Sequence, residues 1–293
     1  MSNMPIVIDI EEWIKKAKSD PQKYTERQAT EIFLVSLGTT HPYCGKFFLK
    51  GGTLMGIVYD SPRQTADLDY STTIKPTHEN VENLVTSLNG AFARVAADLG
   101  YADIVCKVQS IKVRPKPSSF EQDTGPSLQV KVGYARRGGN QEKRLEKNAA
   151  AQVLDVDISF NEPIGAIQVV KLASSDSHEF QVYSIYDLIA EKYRALMQQE
   201  GRKRYRRQDV YDIWMLLKQF HLDEEEKIKL KNLIVEKCGA RGIYPNKQSL
   251  SDPKLAQRAQ SEWDTLELEI GEVPDFGLCF DVVSKFYGAL PWE

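Results

Sequence analysis

The chain has 293 residues, 42% of them hydrophobic and 27% charged, and a net charge of −3. That length can bury a full core and build two lobes. The composition excludes a disordered or fibrous chain, and the balance of charge excludes a polycation that holds nucleic acid through its overall field. Four cysteines, Cys44, Cys106, Cys238 and Cys279, show no ligand or redox spacing, so they read as small core hydrophobes rather than zinc ligands or a disulfide framework. The opening MSNMPIVIDIEEW has no basic-then-apolar export pattern, and no stretch approaches 18 apolar residues. The expectation is a cytoplasmic protein without a membrane span.

Two helices open the chain, 9–19 and 21–37, separated by Asp20-Pro21. The stretch Phe47–Tyr70, FFLKGGTLMGIVYDSPRQTADLDY, then reads as an apolar strand, a glycine turn into a helix from about Thr53, and a second strand. Gly51 and Gly52 allow a sharp turn and aim free N–H groups over the helix start, where a phosphate is favoured. Asp67 and Asp69 share one face of the second strand, with Cα atoms about 6.6 Å apart, while Ala66, Leu68 and Tyr70 face the core. Two carboxylates at that spacing repel, and a bound cation removes the cost.

Thr77 caps an amphipathic helix whose stripe Val81, Leu84, Val85, Leu88, Phe92, Val95 and Leu99 runs to Gly100; it reads as a packing element. Strands follow at 103–113 and 128–134, joined by a Pro, Ser and Gly-rich loop. Residues 136–148 carry five basic side chains, Arg136, Arg137, Lys143, Arg144 and Lys147, against Glu142 and Glu146, the pattern of a solvated hairpin tip or an RNA-backbone contact. In VLDVDISF, Leu154, Val156, Ile158 and Phe160 make a core face and Asp155, Asp157 and Ser159 the opposite one.

After a connection over 163–182 with a short strand at Phe180–Tyr183, the pattern turns helical. Ser184 and Asp187 make a capping-box-like start. Lys192 interrupts the apolar stripe of Ile185, Leu188, Ile189 and Leu196, and a buried ammonium needs an anionic partner; a triphosphate fits. The connection RKRYRR concentrates Arg202, Lys203, Arg204, Arg206 and Arg207 just before Asp209 and Asp212. Helices at 223–238, 253–269 and 276–290 complete the chain.

The segment Lys50, Gly51, Gly52, Thr53, Arg63, Thr65, Asp67 and Asp69 resembles the first motif of the polymerase-β-like nucleotidyltransferases, and more narrowly of the AbiEii/AbiGii-type nucleotidyltransferase toxins. Thr53 stands where the superfamily more often has serine. EKYRAL followed by RRQDVYDIWML resembles the second motif region of those toxins. The resemblance implies an α+β fold: a small mixed nucleotidyltransferase sheet flanked by helices over 1–178, then a mostly helical C-terminal lobe over 179–293 contributing Lys192 and Asp209. It further implies Asp67, Asp69 and Asp157 as ligands of Mg²⁺ or Mn²⁺, with Asp69, Asp157, Lys192 and Asp209 catalytic and Asp212 supporting. Lys50, Gly51, Gly52, Thr53, Arg63 and Lys192 would hold the NTP.

The function so implied is transfer of a nucleoside monophosphate from an NTP to an RNA hydroxyl, the 3′ end of tRNA, in a bacterial toxin–antitoxin or abortive-infection system with a cognate antitoxin. The basic residues Arg136, Arg137, Lys143, Arg144, Arg202, Lys203, Arg204, Arg206 and Arg207 suit an RNA acceptor. The alternatives are nucleotidylation of a small molecule or a protein hydroxyl, and a non-catalytic nucleotide- or RNA-binding relative.

Overall fold

The computed structural model describes residues 5–63, 65–173 and 178–292. In chain order its elements are β1 (Ile6–Ile8), α1 (Ile10–Lys15), α2 (Pro21–Thr39), β2 (Phe47–Lys50), α3 (Gly51–Val58), β3 (Leu68–Thr72), α4 (His78–Asp98), β4 (Ile104–Arg114), β5 (Ser127–Arg136), α5 (Asn140–Glu146), β6 (Val153–Phe160), β7 (Ile167–Leu172) and β8 (Glu179–Tyr183). The rest is helical: α6 (Ile185–Gln198), α7 (Arg207–Gln219), α8 (Glu224–Gly239), α9 (Pro253–Gln260), α10 (Glu267–Ile270) and α11 (Phe276–Gly288). No described helix is long and apolar enough to cross a membrane. Two compact units result, one of Met1–Val58, Ala66–Glu162 and Gln168–Val182, the other of Tyr59–Thr65, Pro163–Ile167 and Tyr183–Glu293.

The first unit is organised on a mixed sheet of order β1-β7-β8-β2-β3-β6-β5-β4. Its centre is set by apolar alternation. Leu154, Val156, Ile158 and Phe160 of β6 are buried and leave Asp155 and Asp157 on the opposite face. On the core side of β2 and β3, Phe47 and Tyr70 meet ring to ring at 6.4 Å, and Phe33 of α2 packs on Tyr70 at 6.0 Å and on Phe92 of α4 at 6.5 Å. These edge and tilted contacts support the register of the antiparallel β2–β3 pair that carries Asp69. Thr77 caps α4 by accepting from the Asn80 N–H, as its sequence suggests.

The strands β1 and β7, parallel partners at the sheet edge, are absent from the sequence reading: β1 is only three residues long, and β7 lies in what reads as a connection. The basic segment after β5 does join β5 to β6, but it winds into α5 rather than a bare turn. The helix read over 253–269 is divided by a left-handed Glu262. Cys44 is exposed, against the expectation of four core cysteines.

In the second unit α6 starts on Ser184, whose Oγ accepts from the Asp187 N–H. Asp187, fully buried, also takes the N–H groups of Gly165 and Ala166 and pairs with Lys237 at 3.0 Å. One carboxylate thus ties the Pro163–Ile167 segment to α6 and α8. Tyr193 of α6 and Tyr287 of α11 pack together in the core.

Candidate active site

Lys50, at the end of β2, stands opposite Asp69 of β3 in the antiparallel ladder. The chain then turns through Gly51 at φ +72°, a left-handed conformation that favours glycine. Space demands glycine as strongly: a Cβ there would sit 2.2 Å from Asp69 Oδ2. The Asp69 carboxylate therefore lies directly over the backbone that opens α3. In the next strand Asp157 is the register partner of Asp69 in a parallel pair, so both point to the same face. Asp67 precedes β3, and its carbonyl accepts from the Thr53 hydroxyl at 2.7 Å, which binds the first turn of α3 to the approach of the acidic strand. Partial burial, then the like charges of Asp155 and Asp157, raise the Asp67 pKa above the ordinary carboxylate value. Asp155 itself pairs with Lys131 at 2.8 Å on the exposed side.

Lys50, directly across the ladder from Asp69, lies on the same face of the sheet, and its ammonium reaches Ser159 Oγ at 3.5 Å. Its buried ammonium pairs with Glu162, whose carboxylate also accepts from Ser71 Oγ at 2.7 Å. Nothing in the sequence marks Glu162, which follows β6 with no periodic neighbour to define its face.

The group a divalent cation would need is hard oxygen, and the Asp67, Asp69 and Asp157 carboxylates supply it. Among the described residues no three His, Cys, Asp or Glu side chains form a ready-made cation cage. A hard divalent ion such as Mg²⁺ would take one or two of these carboxylates and complete its shell with water and substrate phosphate. The donor set fits.

In the second unit, Lys192 is buried and its ammonium lies 2.6 Å from Asp212 Oδ2 and 3.3 Å from Asp209 Oδ1. The anionic partner its apolar stripe demands is present within α7. Asp212 is fully buried and also receives Arg63 through two parallel N–H bonds, Nε at 3.1 Å and Nη2 at 3.2 Å, the fork geometry that matches a guanidinium to a carboxylate. Arg63 Nη1 continues to Glu269 at 3.2 Å, a residue with no signal in the sequence. Burial lowers the Lys192 pKa, but Asp212 and Asp209 outweigh it and hold the pKa above the ordinary lysine value. Burial likewise raises Asp212, and Lys192 and Arg63 reverse the sign and hold it low.

The basic candidates divide. Arg136 is bonded to Asp103, Thr25 and Gln28, and Arg137 donates to the Ala102 carbonyl at 2.8 Å. Arg206 and Arg207 are half-buried and pair with Asp209, Glu262 and Glu269. Lys143, Arg144, Arg202, Lys203 and Arg204 are exposed.

The family model described as "Nucleotidyl transferase AbiEii toxin, Type IV TA system" matches residues 32–280, a span that includes both motif regions. The chain belongs to the AbiEii nucleotidyltransferase toxin family. As an AbiEii-family member it is a nucleotidyltransferase toxin of a type IV toxin–antitoxin system, which implies an NTP substrate and a cognate antitoxin. The same fold occurs in MenT4, a nucleotidyltransferase toxin from Mycobacterium tuberculosis H37Rv, with 17% identity, 97% of this chain and 89% of that one covered, and a TM-score of 0.57. JHP933 from Helicobacter pylori shares it at 16% identity, 92% coverage of each chain and a TM-score of 0.50. Among curated proteins no sequence matches the chain.

Proposed function

We propose that this AbiEii-family enzyme transfers a nucleoside monophosphate from an NTP to a hydroxyl at the 3′ end of tRNA, with Mg²⁺, and so blocks translation. The observation that carries the reading is the Asp69 carboxylate seated over Gly51 with Asp157 beside it in register. Phosphoryl transfer asks a protein for positioning and charge stabilisation rather than covalent chemistry. A divalent ion held by Asp67, Asp69 and Asp157 would supply neutralisation of phosphate charge. Asp157 also stands as the base for the acceptor hydroxyl. The amides of Gly51, Gly52 and Thr53 cradle phosphate oxygens at the positive end of α3.

Lys192 balances charge on the departing pyrophosphate, and Asp209 orients its ammonium. Arg63 and Asp212 hold that pair in place. Lys50, on the same face as Asp69, holds the nucleotide's phosphates beside the corner. The exposed Arg136, Arg137, Lys143 and Arg144 of the first unit, and Arg202, Lys203 and Arg204 with the half-buried Arg206 and Arg207 of the second, favour an RNA acceptor over a small molecule.

The test is incubation with each labelled NTP, Mg²⁺ and total tRNA, beside Asp69→Ala. Label in RNA that disappears in the variant supports the reading. Label on protein or a small molecule, or no label anywhere, overturns it.

A further inference from the structure

A polar cavity in the first unit lies at the end of the antiparallel β2–β3 pair away from Gly51. It measures 530 Å³ and is lined by Pro42, Tyr43, Lys46, Thr73, Ile74 and Lys75 below and by Asn80, Asn83, Thr86 and Ser87 of α4 beside them. That volume is in the range of ligand sites. No carboxylate lines it, whereas two ammonium groups, two amides and four hydroxyls do. Lys46 and Lys75 make no side-chain ion pair among the described residues, in a chain whose net charge is negative. Two cations brought to one concavity without an acid to offset them make a field that favours an anion.

The walls are fixed. The Lys46 carbonyl accepts from Thr72 Oγ1 at 2.8 Å and from the Thr73 N–H at 3.1 Å. The Lys75 carbonyl accepts from Asn80 Nδ2 at 3.0 Å. Tyr43 is held edge-on against Phe47 at 6.1 Å. Asn80, Asn83 and Ser87 follow the i, i+3, i+7 spacing of one α4 face, beside the apolar stripe that gives the helix its packing role. Five residues of extended chain, about 16 Å, separate Lys46 from Gly51, so the cavity is distinct from the acidic corner.

We propose that this cavity is a second phosphate site, which takes the backbone of a single-stranded RNA segment. Lys46 and Lys75 contact phosphate oxygens, the α4 amides and hydroxyls supply hydrogen bonds to phosphate and sugar, and Tyr43 with Ile74 gives an apolar flank. The choice of RNA rests on the acceptor proposed above. The cavity itself does not.

The test is equilibrium binding without catalysis. Anisotropy of a fluorescent single-stranded RNA of about 12 nucleotides is followed across salt for the wild type, Lys46→Ala/Lys75→Ala, Lys46→Arg/Lys75→Arg and the exposed control Lys18→Ala, with thermal unfolding of each and ATP binding by equilibrium dialysis. Each phosphate contact contributes about 0.7 to the log–log salt slope of single-strand binding, about 5-fold in affinity at roughly 0.1 M salt. The double alanine variant is expected to lose about 1.4 of slope and roughly 25-fold in affinity, with restoration by arginine and no change in Lys18→Ala or in ATP binding. An unchanged RNA slope overturns the site, and loss of ATP binding with an unchanged RNA slope overturns the RNA assignment. An enzyme that binds RNA through these lysines but leaves no label in it supports this inference while defeating the transfer reading, so the two fail separately.

Discussion

Asp69 occupies the volume that a side chain at position 51 would take: a Cβ on Gly51 would lie 2.2 Å from Asp69 Oδ2 and 3.0 Å from its Cβ. The glycine is therefore required twice, by its φ of +72° and by the carboxylate above it. Gly51→Ala is expected to cost about 1–2 kcal/mol from the left-handed backbone and further stability from the clash, and to displace Asp69, abolishing transfer. Gly100 provides the control, with φ +79° and open space around it. Gly100→Ala should show the backbone cost alone and keep activity. Urea denaturation with labelled-nucleotide transfer for both variants checks the contrast, and equal activity in the two would remove Asp69 displacement as the cause.

Asp212 and Asp209 both touch Lys192 but differ in what else they hold. Asp212 is fully buried between Lys192 and Arg63, so Asp212→Ala leaves Lys192 with Asp209 alone and Arg63 with Glu269 alone, and is expected to destabilise by about 3 kcal/mol. Asp209 is more open and keeps its acceptor oxygen in Asp209→Asn, so its loss is expected to stay within about 1 kcal/mol while transfer falls by about 100-fold or more. Stability curves and turnover measured on the same preparations separate the roles. A stable, active Asp212→Ala would refute the burial argument.

What was legible in the sequence followed from local rules. The glycine corner, the core face of VLDVDISF and the Thr77 and Ser184 caps depend on neighbours within a few residues, and each is present, whereas the Asp-x-Asp strand begins only at Leu68, leaving Asp67 ahead of it and Ala66 exposed rather than facing the core. Lys192 announced an anionic partner by interrupting an apolar stripe, but not which one, because Asp212 and Asp209 are 20 and 17 residues away. Arg63 reads as a phosphate ligand by motif, and its fork to Asp212 spans 149 residues. Glu162 and Glu269 were invisible for the same reason: their significance comes from tertiary partners. Strand β1 was missed because three residues cannot display an alternation.

In the proposed metal site, the Asp67 carboxylate would connect metal binding to pH. Partial burial and the neighbouring Asp155 and Asp157 raise its pKa, so protons compete for it at a higher pH than for an ordinary aspartate. Stabilisation by Mg²⁺, read as the shift in thermal unfolding, should be full near pH 7.5 and fall as pH drops toward that raised pKa. Asp155→Asn removes one of the charges that raise it, so the decline should move to lower pH. A decline that stays in place in the variant would show that Asp155 does not couple to Asp67.

Glu31 of α2 is a buried carboxylate outside the acidic corner, 2% exposed, that accepts from Tyr101 Oη at 2.8 Å. Burial pushes its pKa up to about 7, the Tyr101 hydrogen bond offsets this only in part, and Glu11 and Asp9 add to it. The folded state therefore binds this proton more tightly than the unfolded chain, whose value is 4.5. Stability from the protonated form is full below about pH 4.5 and is lost progressively as pH rises through about 7, to a total of about 3 kcal/mol. Glu31→Gln keeps an acceptor for Tyr101 and cannot ionise. The stability difference between variant and wild type should consequently move in favour of the variant by about 2 kcal/mol between pH 5 and pH 8. Urea denaturation at the two pH values measures it, and a constant difference would mean that Glu31 stays ionised in the core with a partner that compensates its charge.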